Sequence, residues 1–305
     1  MRCRFTCSFL SRLRHSRAIA ALPVTAVAVG CLAGCVNAPA VYTQLVEARR
    51  LASRLHVQFT RAADAANRAV MWDTDEGSTA AAEEARGVRG MVERDLEALR
   101  STLRSLGYDQ DLIHLESFAT CLAEYTRLDD EILPLAVENT NLKAQRLSFG
   151  PARAAADELL ASLDATVGTG AAEEVCRAEA LAATARTAVL RLLVLQAPHI
   201  AESEDVAMTQ IEEQMTASAT AARRALDELG ESLPPTAAPG LAQASAALDR
   251  LVAVNDEIVT LSRRNTNVRS LALSLGRKRV VAVECENRLE ALEQALAEHE
   301  FIATR

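Results

Sequence analysis

Asn139-Thr140-Asn141-Leu142 and Asn265-Thr266-Asn267-Val268 decide how this chain reads. Their flanks repeat in the same frame. Leu128-Asp129-Asp130-Glu131-Ile132 matches Val254-Asn255-Asp256-Glu257-Ile258, and Leu147-Ser148-Phe149-Gly150 matches Leu273-Ser274-Leu275-Gly276, all at an offset of 126 residues without a gap. A constant offset of this size marks a duplicated structural unit. Gly107 and Gly230 stand 123 apart, and the stretch Pro234-Pro235-Thr236-Ala237-Ala238-Pro239-Gly240 supplies the other three residues.

Outward from the repeat, the pattern is helical. Residues 41–72 contain no Gly or Pro, and Leu45, Ala48, Ala52, Leu55, Phe59, Ala62, Ala66 and Ala69 recur at spacings of three and four. That is a narrow apolar seam on one helix face. Further helices are expected over 79–106, 110–149, 151–168, 171–197, 202–229, 241–275 and 276–303, punctuated by Gly, Pro and the acidic turn Asp73-Thr74-Asp75-Glu76-Gly77-Ser78. Composition agrees. Half of the 305 residues are hydrophobic but only 3% are aromatic, and there are 12 Gly and 8 Pro. This disfavours β-sheet, which draws on aromatic and β-branched residues and on frequent turns. The fold expected is all-α, two tandem up-down four-helix bundles, over residues 41–168 and 169–305.

The third helix of each unit reads as a heptad. Its seam carries Tyr125, Leu128, Ile132, Leu135, Asn139, Leu142, Arg146 and Phe149 in the first copy. The second has Leu251, Val254, Ile258, Leu261, Asn265, Val268, Ala272 and Leu275. The seam continues through Pro134, so a bend rather than a stop is expected there. A buried asparagine fixes helix register by bonding across a bundle, or it lines a polar pocket. The pocket reading gathers Asn67, Asn139, Asn141 and Arg146 around a small polar or anionic ligand, with Asn265 and Asn267 as their counterparts. In the other reading Arg146 snorkels to solvent or pairs with the acids of the 73–78 turn.

Residues 1–34 read as a bacterial export signal. Arg2, Arg4, Arg12, Arg14 and Arg17 precede the apolar run Ala18–Gly30, and Leu32-Ala33-Gly34-Cys35 resembles a lipobox. The resemblance implies cleavage before Cys35, lipidation of its thiol and a short tether over 35–40. Val36 and Asn37 follow, with no aspartate, so the expected address is the outer membrane, facing the periplasm. The bilayer is then a partner through Cys35. Removing this leader takes five of the 33 basic residues and none of the 41 acids, leaving a net charge of −13. That disfavours nucleic acid, which requires a basic face.

Three cysteines remain in the mature part. Cys121, Cys176 and Cys285 share no CxxC spacing, so zinc and thioredoxin-like readings fail. Buried structural thiols are expected, with a Cys176–Cys285 disulfide as the alternative in an oxidising compartment. No cofactor is expected. The chain lacks GxSxG, HExxH, P-loop and dinucleotide-binding patterns, and His56, His114, His199 and His299 are scattered, so no enzyme is expected. Asp73, Asp75 and Glu84 mimic part of a calcium loop, but Gly77 and Ser78 occupy the wrong positions. Trp72 beside that turn reads as a wedge in the bundle top, or as a stacking surface for a ligand.

The stretches Glu138–Gly150 and Arg264–Gly276, set in long tandem helices behind an export signal, are similar to segments of the periplasmic four-helix-bundle sensor modules of methyl-accepting chemotaxis receptors. The resemblance implies a bundle fold and ligand capture. It implies no receptor signalling, because a second membrane span and a cytoplasmic methylation hairpin are missing from the sequence. Two functions are therefore expected of such a chain: a sensory or small-solute binding module, or an assembly protein that docks another envelope protein through helical faces.

Overall fold

The computed structural model describes residues 24–167 and 172–299, with side chains for all of these except 24–40 and 172–174. All regular structure among the described residues is helical. The long helices are α1 (Val24–Met71), α2 (Asp75–Leu106), α3 (Asp109–Glu138), α5 (Arg153–Thr166), α6 (Ala172–Ala201), α7 (Asp205–Ser232), α8 (Ala238–Arg264) and α10 (Arg279–Glu298). Short helices α4 (Thr140–Leu147) and α9 (Thr266–Leu273) link them. The leader residues 1–23 and the stretch 168–171 lie outside the described residues. Cys35 falls within α1, where side chains are not described.

Local chemistry sets the ends. Thr74 caps α2, its hydroxyl accepting from the Gly77 N–H at 3.1 Å, and Asp75 and Glu76 in the first turn complement the helix dipole. Gly107 closes α2 at φ 70°, a left-handed conformation that glycine adopts without steric cost. The seam expected on α1 is buried along its whole length, from Leu45 to Ala69. Its alanines let α2, with Ala81, Ala82 and Ala85, approach closely.

The third helix departs from expectation. It does not run to residue 149. It passes through Pro134 as expected, ends at Glu138, and Asn139 turns left-handed at φ 53°; Asn265 does the same at φ 54°. Asparagine tolerates this conformation far better than other side-chain-bearing residues. Past the break the buried face shifts off the expected heptad to Thr140, Asn141 and Ala144, leaving Leu142 part-buried and Arg146 and Phe149 exposed. Two other expected stops are helical instead. Pro198 lies inside α6, and Gly150-Pro151 lies within a wide π-type turn, residues 148–152, joining α4 to α5. Its counterpart, residues 274–278, joins α9 to α10.

The helices also group differently from the expected 41–168 and 169–305. The first core is built by α1, α2, α3 and α10, with Val281, Cys285, Leu289, Leu292 and Leu296 of the last helix packed among Leu55, Phe59, Leu99, Phe118 and Ile132. The second core is built by α5, α6, α7 and α8, with Ala156, Leu159 and Leu163 among Ala185, Val189, Leu226 and Leu248. Each repeat therefore gives its fourth helix to the other repeat's bundle. The two chain segments cross at the left-handed asparagines. There Thr140 and Thr266 exchange reciprocal bonds, each N–H donating to the other's Oγ1 at 3.1 and 3.2 Å. The N–H groups of Asn141 and Asn267 likewise donate to each other's Oδ1, both at 3.1 Å. Equivalent positions meeting one another is the signature of a local two-fold axis between the repeats.

A disulfide joins Cys121 on α3 to Cys285 on α10, with Cα atoms 5.5 Å apart. This corrects both cysteine expectations: two of the thiols are not free, and Cys176 is exposed and unpaired. The exchange explains it. Cys285 stands at the repeat position of Leu159, and only the crossing brings that position of the second repeat against α3 of the first.

Candidate functional site

The asparagines expected to line a pocket are spent on one another at the crossing. Asn139 donates to Ser78 Oγ at 3.1 Å and accepts from Asn267 Nδ2 at 2.8 Å. Asn141 Nδ2 donates to the Ile200 carbonyl at 2.7 Å and to Asn265 Oδ1 at 2.8 Å. Asn265 Nδ2 donates to the Glu202 carbonyl at 2.7 Å. A buried amide with its donors and acceptors filled is stable but offers nothing to a ligand. Arg146 does not join them. It is half-exposed, donates to the Asp73 carbonyl at 3.2 Å and lies 3.7 Å from the Asp75 carboxylate, as in the alternative of pairing with the turn. Trp72 is nearly half-exposed and lies over Gly77, where an added Cβ would meet its ring at 2.8 Å. It is a wedge against the turn backbone. Among the described residues no cluster of metal-binding side chains occurs.

One expected residue does reach a cavity. Asn67 lines a cleft of about 360 Å3 between α1, α9, the 274–278 turn and α10. Its walls are largely apolar, with Ala63, Val70, Leu271 and Ala282 among them. The π-type turn bows the backbone at Gly276 and carries Ser274 and Lys278 into the interior. Ser274 Oγ donates to Asn67 Oδ1 at 3.3 Å. Lys278, at 2% exposure, approaches Asp129 Oδ1 to 2.6 Å, and that carboxylate is equally buried. The ammonium also stands 5.2 Å from the centre of the Tyr125 ring.

Two features of this cluster are unusual. The Tyr125 hydroxyl is buried with no hydrogen-bond partner, and the Lys278 ammonium and Asp129 Oδ1 are buried with no hydrogen-bonded neighbour but each other. Burial also pushes the Tyr125 hydroxyl well above its ordinary pKa, helped by the Asp129 charge. Burial raises the Asp129 carboxyl too, against the pull of Lys278. Most buried polar groups in folded proteins are satisfied, so a cluster that is not calls for a reason.

The second bundle supplies the comparison. At the equivalent positions it has Leu251, Asn255 and, from the exchanged segment of the first repeat, Ala152 in place of Tyr125, Asp129 and Lys278. Ser148 there donates to Gln196 Oε1 at 2.7 Å, and Gln196 Nε2 donates to Asn255 Oδ1 at 3.1 Å. One copy holds a neutral, connected network; the other holds a buried ion pair and an unspent hydroxyl under a cleft. Lys278 is not among the residues that the sequence singles out. Its one signal there is a lysine opposite an alanine across the repeat.

A second cluster is also absent from the sequence-based expectations. His199 Nδ1 lies 2.6 Å from Ser262 Oγ, and its Nε2 lies 2.8 Å from Glu212 Oε1. The order serine, histidine, carboxylate resembles a hydrolase triad. Here Ser262 and His199 are fully buried, and Ser262 Oγ donates to the Ile258 carbonyl at 2.8 Å. Arg263 holds Glu212 at 2.6 and 2.9 Å and lowers its pKa. With the hydroxyl turned to a backbone carbonyl and both groups sealed, the cluster ties α6 to α7 and α8.

Comparison with protein-family models, with curated proteins and with solved structures found no match to the chain. The cleft is the site that the geometry itself singles out.

Proposed function

We propose that the protein is a small-solute binding module of the bacterial envelope, held to the membrane by a lipid on Cys35 and facing the periplasm. The observation that carries the binding reading is the divergence of the two repeats at the cleft. A buried Lys278–Asp129 pair costs desolvation that the Ala152 and Asn255 pair of the other copy avoids. Such a cost at a concave, mostly apolar surface with convergent polar groups is what a binding site looks like. Export is supported independently by the Cys121–Cys285 disulfide, which persists in oxidising compartments. Among the described residues no helix is long and apolar enough to cross a membrane. The sequence resemblance to chemotaxis sensor modules adds a sensory role, with the signal passed through a partner protein.

Docking of another envelope protein is the second reading, favoured by one observation. Met71, Leu271, Leu275, Val280 and Val283 are exposed on α1, α9, the turn and α10, the same elements that wall the cleft.

A thermal-shift screen of periplasmic solutes tests the binding reading. At least one solute should raise the melting temperature of the wild type, and raise it less in Tyr125→Phe. A broad screen that leaves the wild-type melting temperature unmoved would remove the reading. For the anchor, labelling with a radioactive fatty acid should mark the wild type and not Cys35→Ala.

A further inference from the structure

We propose that the cleft takes an uncharged molecule with a compact apolar body and a single hydroxyl head, an alcohol or phenol; this rests on the binding reading above. The charges around the cleft decide the class. Lys278 is balanced by Asp129 at 2.6 Å, and the other charged residues that line the cleft, Arg279 and Glu286, carry one charge of each sign, so the cleft has no net charge. A carboxylate ligand would bring an uncompensated negative charge beside Asp129, and an ammonium would bring a positive one beside Lys278. Burying either without a partner is costly. The groups left unspent ask for something else. The Tyr125 hydroxyl and the Lys278 ammonium have hydrogens to give, and Asp129 has a lone pair to fill. A hydroxyl is the smallest uncharged head that accepts from the first two and donates to the third.

The walls define the rest of the ligand. Ala63, Val70, Leu271 and Ala282 are apolar, and about 360 Å3 accommodates one ring or a short branched chain. Asn67 and Ser274 bond to each other on the wall, and Arg279 and Glu286 also line the cleft, so the buried polar groups are those of the floor. The floor atoms are screened from water, so the head group reaches them by entering between Lys278 and Asp129, accepting from the ammonium and donating to the carboxylate in place of their direct contact.

The experiment uses the full protein and four probes built on the same benzene ring: benzyl alcohol, toluene, benzoate and benzylamine. Melting temperature and titration calorimetry are read for each, with amide NMR shifts as a locator. Benzyl alcohol should stabilise most, and its amide perturbations should centre on residues 274–278 and not on 148–152. Tyr125→Phe should weaken benzyl alcohol about fivefold, the worth of one hydrogen bond, and leave toluene unchanged. If that variant folds poorly, the rank order and the NMR map of the wild type decide alone. Benzoate or benzylamine binding best, or toluene binding as well as the alcohol, overturns the ligand class while the binding reading stands. No response to any of the four also overturns the class. If the broad solute screen is blank as well, the binding reading falls with it.

Discussion

Replacing Lys278 tests the energetics of the site. At 2.6 Å, with an effective dielectric near 20, the Lys278–Asp129 attraction is about 6 kcal/mol before desolvation. Both side chains are 2% exposed, so desolvation cancels much of this. Removing one partner is different from removing both. Lys278→Ala leaves Asp129 buried and uncompensated, which costs about 3–5 kcal/mol. Asp129→Asn leaves the lysine in the same position. The double variant Lys278→Ala, Asp129→Asn recreates the pair found in the second bundle, Ala152 and Asn255, and should lie within about 1 kcal/mol of wild type. The coupling energy from the cycle is then several kcal/mol, far outside additivity. Urea denaturation of the four proteins measures it. The raised pKa of Asp129 adds a sign. A carboxyl that is harder to ionise folded than unfolded contributes stability below its unfolded pKa and loses it as pH rises through the folded one. Lys278→Ala should widen that window, so its deficit should shrink on acidification. A single variant costing under about 1 kcal/mol, or a double variant no better than the worse single, would refute the reasoning.

Other outcomes follow from the same contacts. Reducing Cys121–Cys285 opens a loop spanning 164 residues and should lower stability by about 3–5 kcal/mol, seen as a fall in the urea midpoint with dithiothreitol. Asn139→Leu should cost about 2–4 kcal/mol, because leucine is strained at φ 53° and the bonds to Ser78 and Asn267 are lost; a rise in melting temperature would show a plain register device. Gly77→Ala should cost about 1 kcal/mol by pushing Trp72 and the Thr74 cap aside, with a red shift of the lone tryptophan's emission.

Much of the architecture is legible in the sequence alone. The seam on α1 follows from spacing, and the duplication follows from a constant offset, because both are patterns within the chain. The exchange of fourth helices is not legible in this way. Helices α5 and α10 belong to equivalent places in the two repeats and carry apolar residues at matching positions, such as Leu163 and Leu289, so periodicity is blind to which bundle each joins. The one asymmetric clue is the pair Cys121 and Cys285, which face each other only after crossing. The breaks at Asn139 and Asn265 are hidden for a related reason: apolar spacing runs on in the sequence past each left-handed residue, although Phe149 and Leu275, which carry it, are exposed. Of the site, Asn67 is legible as a polar residue near a helix end. Tyr125 looks like core, and Lys278 becomes meaningful only beside Ala152. The crossing asparagines are legible as buried amides, and their partners are each other.

The most direct test of the exchange is a non-reducing proteolytic map of the monomeric protein by mass spectrometry. The crossing of the fourth helices predicts a peptide pair linked through Cys121 and Cys285 within one chain, with Cys176 free to alkylation. A Cys176–Cys285 link, or both Cys121 and Cys285 alkylated in the protein as isolated from an oxidising compartment, would contradict it.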